Sequence, residues 1–260
     1  MNLKTLRVFF FDLDGVLSVG KENPRYLGGR AVILKIKSQG KSVFLLTNDS
    51  THVREEIHRN LIKMGFSFEP NEMLTSSVLT AMYLREKFGK ASFFLVGEEG
   101  LRRELETAGH HSTLKQPDAV VVGFDRQLTY GSLDHAMRVL RAGAMLVGSY
   151  GGAVYMSDHG PALSAGPIIK ALEYAASKRA VIVGKPSPRM FRLALKRAGE
   201  KPQRAVMIGD QLETDLLGAS RAGVHTVLVL TGVETRETVR GSKPRPEMII
   251  ENVDGLLDRL

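Results

Sequence analysis

The chain contains no cysteine, which excludes disulfides and thiolate-held metals and fits a reducing compartment. No apolar run approaches the roughly 18 residues of a membrane span, so no membrane partner is expected. A secretion signal is not expected either, because Asp12 and Asp14 interrupt the first apolar stretch. The expected location is cytoplasmic. Low-complexity tracts and short repeats are missing as well. The basic clusters at 196–204 and 236–245 contain no aromatic residue, so they lack a platform on which single-stranded bases stack. With a net charge of +8, they read as solvated faces and as a field for small anions, not as a nucleic-acid surface.

What is present is an ordinary globular composition, 43% hydrophobic and 25% charged over 260 residues. That length suits one large domain or two smaller ones. Short apolar runs at 8–11, 42–46, 92–96, 119–122, 144–147, 180–183, 205–208 and 226–230 alternate with segments of helical period. The latter include 53–64, 101–108, 133–141, 168–177, 188–198 and 215–222. Strands alternating with helices predict an α/β fold with largely parallel sheets. The unbroken apolar character of the runs suits strands covered on both faces.

The residues after each run divide the chain. Asp12, Thr47-Asn48, Gly184-Lys185 and Gly209-Asp210 follow four of them. Ligands of open α/β sheets bind outside the carboxyl ends of strands, so these four tips form one candidate site. The three middle runs end differently. We therefore expect a core made of residues 1–77 and 179–260 with a smaller α/β unit, 78–178, inserted into it.

Asp12 and Asp14 flank one peptide unit, so both carboxylates and the Leu13 carbonyl converge where the chain turns at Gly15. The seventh run adds Asp210 and Asp215. Two like charges about 4 Å apart repel by roughly 4 kcal/mol at an effective dielectric near 20. Four gathered carboxylates need cations. Hard oxygen ligands without cysteine or histidine point to magnesium, and Lys185 supplies a fixed positive charge. Thr47 and Asn48 are candidate donors to phosphate oxygens.

Together the motifs resemble the haloacid-dehalogenase superfamily. They are Asp-Leu-Asp-Gly-Val at 12–16, Leu-Thr-Asn at 46–48, Gly-Lys-Pro at 184–186 and Gly-Asp-Gln-Leu-Glu-Thr-Asp at 209–215. More narrowly the chain is similar to the NagD / p-nitrophenyl-phosphatase branch. Thr-Asn-Asp-Ser at 47–50 resembles that branch's Thr-Asn-Asn-Ser, and Val-Leu-Thr-Gly-Val at 229–233 its last strand. The resemblance implies a Rossmann-like core with an inserted cap and Asp12 as nucleophile. It also implies Asp14 as acid and base, with Lys185 neutralising the nucleophile and phosphate. Thr47 and the Asn48 region would bind phosphoryl oxygens. Asp12, the Leu13 carbonyl and Asp210 would ligate magnesium, with Asp215 orienting Lys185 or a metal-bound water. The chain departs from the branch in the cap, at Ser149-Tyr-Gly-Gly152 and Leu163-Ser-Ala-Gly166. Tyr150, Asp158 and His159 are the candidate substrate contacts there.

The expected function is magnesium-dependent hydrolysis of a small phosphorylated metabolite through an aspartyl-phosphate. A phosphotransferase or phosphomutase of the same chemistry is the alternative. A non-catalytic phosphometabolite-binding regulator would not need both a nucleophile and an acid. A homodimer through the cap is the expected assembly, on family resemblance alone.

Overall fold

A computed structural model describes residues 1–20, 24–157 and 160–260. The chain first lays down β1 (Val8–Phe11), the short pair β2 (Ser18–Val19) and β3 (Arg25–Tyr26), then α1 (Arg30–Ser38) and β4 (Ser42–Thr47). After these come α2 (Arg54–Lys63), β5 (Met73–Thr75) and α3 (Ser76–Phe88). A second unit begins with β6 (Ser92–Val96), α4 (Glu99–Thr107), β7 (His111–Ser112) and β8 (Ala119–Val122). It continues through α5 (Tyr130–Arg141), β9 (Met145–Gly148) and a hairpin of β10 (Val154–Ser157) and β11 (Gly160–Leu163). The unit closes with α6 (Ala165–Ala176) and β12 (Val181–Ile182). The chain then returns as α7 (Arg189–Ala198), β13 (Ala205–Gly209), α8 (Leu217–Arg221), β14 (His225–Val229) and β15 (Met248–Ile250).

Two parallel sheets result. The core sheet runs β15-β14-β13-β1-β4-β5, and the cap sheet runs β12-β9-β8-β6-β7. This is the Rossmann-like core with a smaller α/β cap that the sequence predicts. Side-chain alternation along the strands sorts residues between layers. Phe9 and Phe11 of β1 join Val43 and Leu45 of β4 against α1 and α2. Val8, Phe10, Phe44 and Leu46 point the other way, into a cluster with α3, α4 and α7. That second cluster also takes Phe93, Ala119, Val121 and Val147 from the cap sheet. The opposite face of the cap sheet packs under α5 and α6. One apolar cluster therefore spans core and cap.

The placement of 180–183 corrects the sequence reading, which counts this run among the core strands. As β12 it pairs with β9 of the cap sheet, Val181 beside Val147 and Ile182 beside Gly148. The preceding helix α6 lies against that sheet, and the short connection after it reaches only the sheet's open edge. Lys185, just beyond β12, crosses to the core.

Candidate active site

Asp12 extends β1 by one residue, its N–H donating to the Ile208 carbonyl of β13 at 3.0 Å. The chain then turns at Gly15, whose φ of +79° favours glycine. The Leu13 carbonyl, expected as a metal ligand, accepts the N–H groups of Val16, Leu17 and Ser18 at 3.3, 3.0 and 3.0 Å. Those bonds turn it into the loop and leave it no role at a cation. Sequence spacing could place the carbonyl near the carboxylates but not say which way the turn would aim it.

Asp12 is buried, and its Oδ1 lies 2.7 Å from the Lys185 Nζ. The same ammonium sits 2.6 Å from Asp215 Oδ1 and donates to the Leu46 carbonyl at 2.8 Å. Lys185 is 0% exposed, so its charge persists only because two carboxylates and a carbonyl surround it. Asp215 is carried on a π-helical turn, Leu212–Leu216, that runs into α8. Its other oxygen accepts the Gln211 N–H at 3.2 Å. Asp215 is thus ion-paired with Lys185.

Asp210 follows β13 and hangs from the Val233 N–H, which donates to its Oδ2 at 2.9 Å. A side chain at Gly15 or Gly232 would overlap this carboxylate. That explains the glycine in Asp-Gly at 14–15 and in Thr-Gly at 231–232. The other oxygen, Oδ1, is buried with no hydrogen-bond partner. Asp12, Asp210 and Asp215 can bring ligand oxygens within 4.8 Å of one another. An orphaned buried oxygen among hard donors fits a divalent cation such as magnesium. Asp14 is not in this group; it lies half-buried on the wall of the adjoining cavity.

Burial, followed by the nearby Asp215, pushes the Asp12 carboxyl up from 3.8 to about 7, against the pull of Lys185. Burial, with Asp215 and Asp12, likewise raises Asp210 well above the usual carboxylate range. A carboxyl whose folded value is raised adds stability below its unfolded value and loses it as pH rises through the folded one. The metal-free protein should therefore lose a few kcal/mol relative to Asp12→Asn between about pH 4 and pH 8. Melting temperatures in EDTA across that range test this, and magnesium should restore the native protein's loss. Parallel curves for the two proteins would refute it.

A cavity of about 40 Å³ opens above these groups, lined by Asp12, Asp14, Thr47, Asp49, Tyr150 and Lys185 among others. Thr47 lines the cavity, and its Oγ1 accepts the Asp49 N–H at 3.0 Å. The hydroxyl hydrogen is thereby directed elsewhere. Asn48 lines the cavity too, but its side-chain amide is committed. Its Oδ1 accepts the Lys185 N–H at 3.0 Å and its Nδ2 donates to the Lys185 carbonyl at 3.3 Å. Asn48 is a clasp that fixes Lys185's backbone, so any phosphate contact there falls to its main chain.

From the cap, Tyr150 lines the cavity, its hydroxyl 2.9 Å from Ser164 Oγ. Asp158 and His159 lie outside the described residues. Sequence reasoning missed Val154, Tyr155 and Met156 of β10, which also line the cavity. It also missed Asp49; the one available signal was an aspartate where the related motif carries asparagine.

The geometry has a counterpart in known proteins. Residues 9–111 match the haloacid dehalogenase-like hydrolase family, and residues 182–256 match the HAD-hydrolase-like family. The glycerol-3-phosphate phosphatase of Gallus gallus is 32% identical over 99% of this chain and 93% of its own length. This chain belongs to the haloacid dehalogenase-like hydrolases, in their phosphatase branch. Chronophin from Mus musculus is 33% identical over 96% of this chain and 91% of its own. Among solved structures, the 4-nitrophenylphosphatase of Thermotoga maritima superposes with a TM-score of 0.89 at 30% identity, covering 98% of both chains. Among the described residues, no helix is long and apolar enough to cross a membrane.

Proposed function

We propose that this protein hydrolyses small phosphomonoesters in two steps through a phosphorylated Asp12. One observation carries the reading: a buried carboxylate, Asp12, sits 2.7 Å from the ammonium of a fully buried lysine at a cavity that also holds Asp14. A site built only to bind phosphate has no use for that carboxylate, which would repel its ligand. In the first step an Asp12 oxygen forms a bond to phosphorus as the bond to the leaving oxygen breaks. Asp14 gives its proton to that oxygen, releasing an alcohol. In the second step Asp14 takes a proton from a water molecule. The resulting hydroxide attacks phosphorus, breaking the Asp12–phosphorus bond and freeing inorganic phosphate.

Lys185 offsets the charge that builds up between Asp12 and the phosphoryl group, and Thr47 binds a phosphoryl oxygen. Asp12 and Asp210 would hold magnesium, which supplies positive charge that polarises the phosphoryl group. The cap closes the cavity from above, limiting access of bulk water.

Release of p-nitrophenol from p-nitrophenyl phosphate tests the proposal. Turnover in magnesium should fall at least about 100-fold in excess EDTA, in keeping with a lost Lewis acid, and return on adding magnesium back. A protein inert in magnesium toward this ester and toward a panel of sugar, polyol and nucleoside phosphates overturns the reading. The named activities of relatives support a small substrate but span different leaving groups, among them glycerol and dihydroxyacetone.

A further inference from the structure

Away from the catalytic cavity, a groove of about 620 Å³ opens between α3 and α7, within the roughly 300–1,000 Å³ of a small-molecule site. Its walls are the chain's two crossings. Helix α3 leads into the cap and contributes Leu79, Met82 and Tyr83. The segment that leads back contributes Val183, Ser187 and Pro188, followed by Leu193 of α7. Met82 is 45% exposed, an apolar side chain that an occupant would cover. The charged groups of the groove are Glu86, Arg189 and Arg192. Glu86 lies 4.0 Å from the Arg189 guanidinium, which also sits 5.0 Å from the centre of the Tyr83 ring. Among the described residues, no carboxylate pairs with Arg192. Two cations against one anion leave the groove one positive charge in excess.

Both walls lead to the frame of Lys185. The Ser187 N–H donates to the Gly184 carbonyl at 2.8 Å, closing a turn around Lys185 and Pro186. At the head of α3, Ser76 Oγ donates at 3.0 Å to the carbonyl of Asn48. Asn48 is the residue whose side-chain amide clasps the Lys185 backbone. A molecule seated between α3 and α7 therefore presses on the two supports that set where the lysine stands.

We propose that this groove binds an amphipathic monocarboxylate, an aryl or alkyl acid, and that its occupancy slows turnover. The carboxylate pairs with Arg192, and the apolar body lies among Leu79, Met82 and Leu193. An occupant that spreads the walls shifts the Ser187 turn and the head of α3. In the phosphatase reading, Lys185 is aligned 2.7 Å from Asp12. A shift of its backbone spoils that alignment, so kcat falls.

Calorimetry with 1-naphthaleneacetate and its neutral amide, 1-naphthaleneacetamide, tests the site. The acid should bind once per chain and about tenfold more tightly than the amide, the scale of one charge-assisted contact. Arg192→Glu should erase that preference. Arg192 is exposed and outside the catalytic machinery, so turnover without the acid should stay unchanged in this variant. In the native protein, saturating acid should lower kcat for p-nitrophenyl phosphate at least about threefold, and excess ester should not relieve it. Absence of binding, equal affinity for acid and amide, or a preference that survives Arg192→Glu overturns the proposal. So does binding that leaves kcat as it was, or inhibition that excess ester relieves, which puts the acid in the catalytic cavity. Sedimentation as a dimer that Arg192→Glu dissociates also overturns it, by giving the groove to a second copy of the chain. If no ester is turned over, the phosphatase reading falls and the binding measurements alone judge the groove.

Discussion

Asp12→Asn should abolish turnover of p-nitrophenyl phosphate, by about 10⁴-fold or more, the scale of loss when a covalent nucleophile is removed. The protein should remain folded. Asparagine keeps the shape of the side chain, and Lys185 retains its 2.6 Å partner in Asp215 and its bond to the Leu46 carbonyl. Replacing a buried carboxylate by a neutral amide also removes its repulsion from Asp215 and from Asp14. The urea midpoint of the metal-free variant at pH 8 should equal or exceed that of the native protein. Activity that survives the substitution, once contaminating phosphatase is excluded, would show that some other atom attacks phosphorus. A collapse of stability would show that Asp12 holds the fold more than it serves the chemistry.

Lys185→Met should fail in both respects. The methionine fills similar space, but Asp12 and Asp215, both buried, lose the cation between them, and the Leu46 carbonyl loses its donor. Breaking one side of a buried ion pair costs about 3–5 kcal/mol, because the remaining charge has no water to turn to. Denaturation in EDTA should register that loss, and activity should fall with it. The double variant Lys185→Met/Asp215→Asn should recover much of the stability and none of the activity. If Lys185→Met proves as stable as the native protein, the ammonium is not what holds these carboxylates together. If the double variant regains turnover, charge compensation by Lys185 is not part of the reaction.

The sequence showed the strands with the strongest apolar character almost residue for residue. The runs 8–11, 92–96 and 119–122 coincide with β1, β6 and β8, because strands covered on both faces leave an unbroken apolar signature. Strands β5 and β15, of three residues each, are too short to leave one. Position along the chain also showed where Asp12, Lys185 and Asp210 would sit, since each follows a strand. What it could not show was direction. Asn48 and Lys185 are 137 positions apart, and nothing local in Thr-Asn-Asp-Ser says that the amide will grip a distant backbone. Strand β12 illustrates the same limit. Its residues fit either sheet, and its partner was chosen by the helix before it. Leu13 shows it at the scale of one peptide: three N–H groups of its own turn compete for the carbonyl.

The apolar cluster that runs from Val8, Phe10, Phe44 and Leu46 through α3, α4 and α7 to the cap sheet has a consequence for anyone exchanging caps between members of this family. The cap is not a portable module. Cutting the chain at its two crossings would bare a sheet face of phenylalanine and leucine to water, and such a face aggregates. A chimera that keeps the host's α3 and α7 beneath a foreign cap would have to match side-chain volumes along the whole seam. The same seam means that heat or denaturant should melt core and cap in one transition, and that a protease will find no stable cap-free fragment to release.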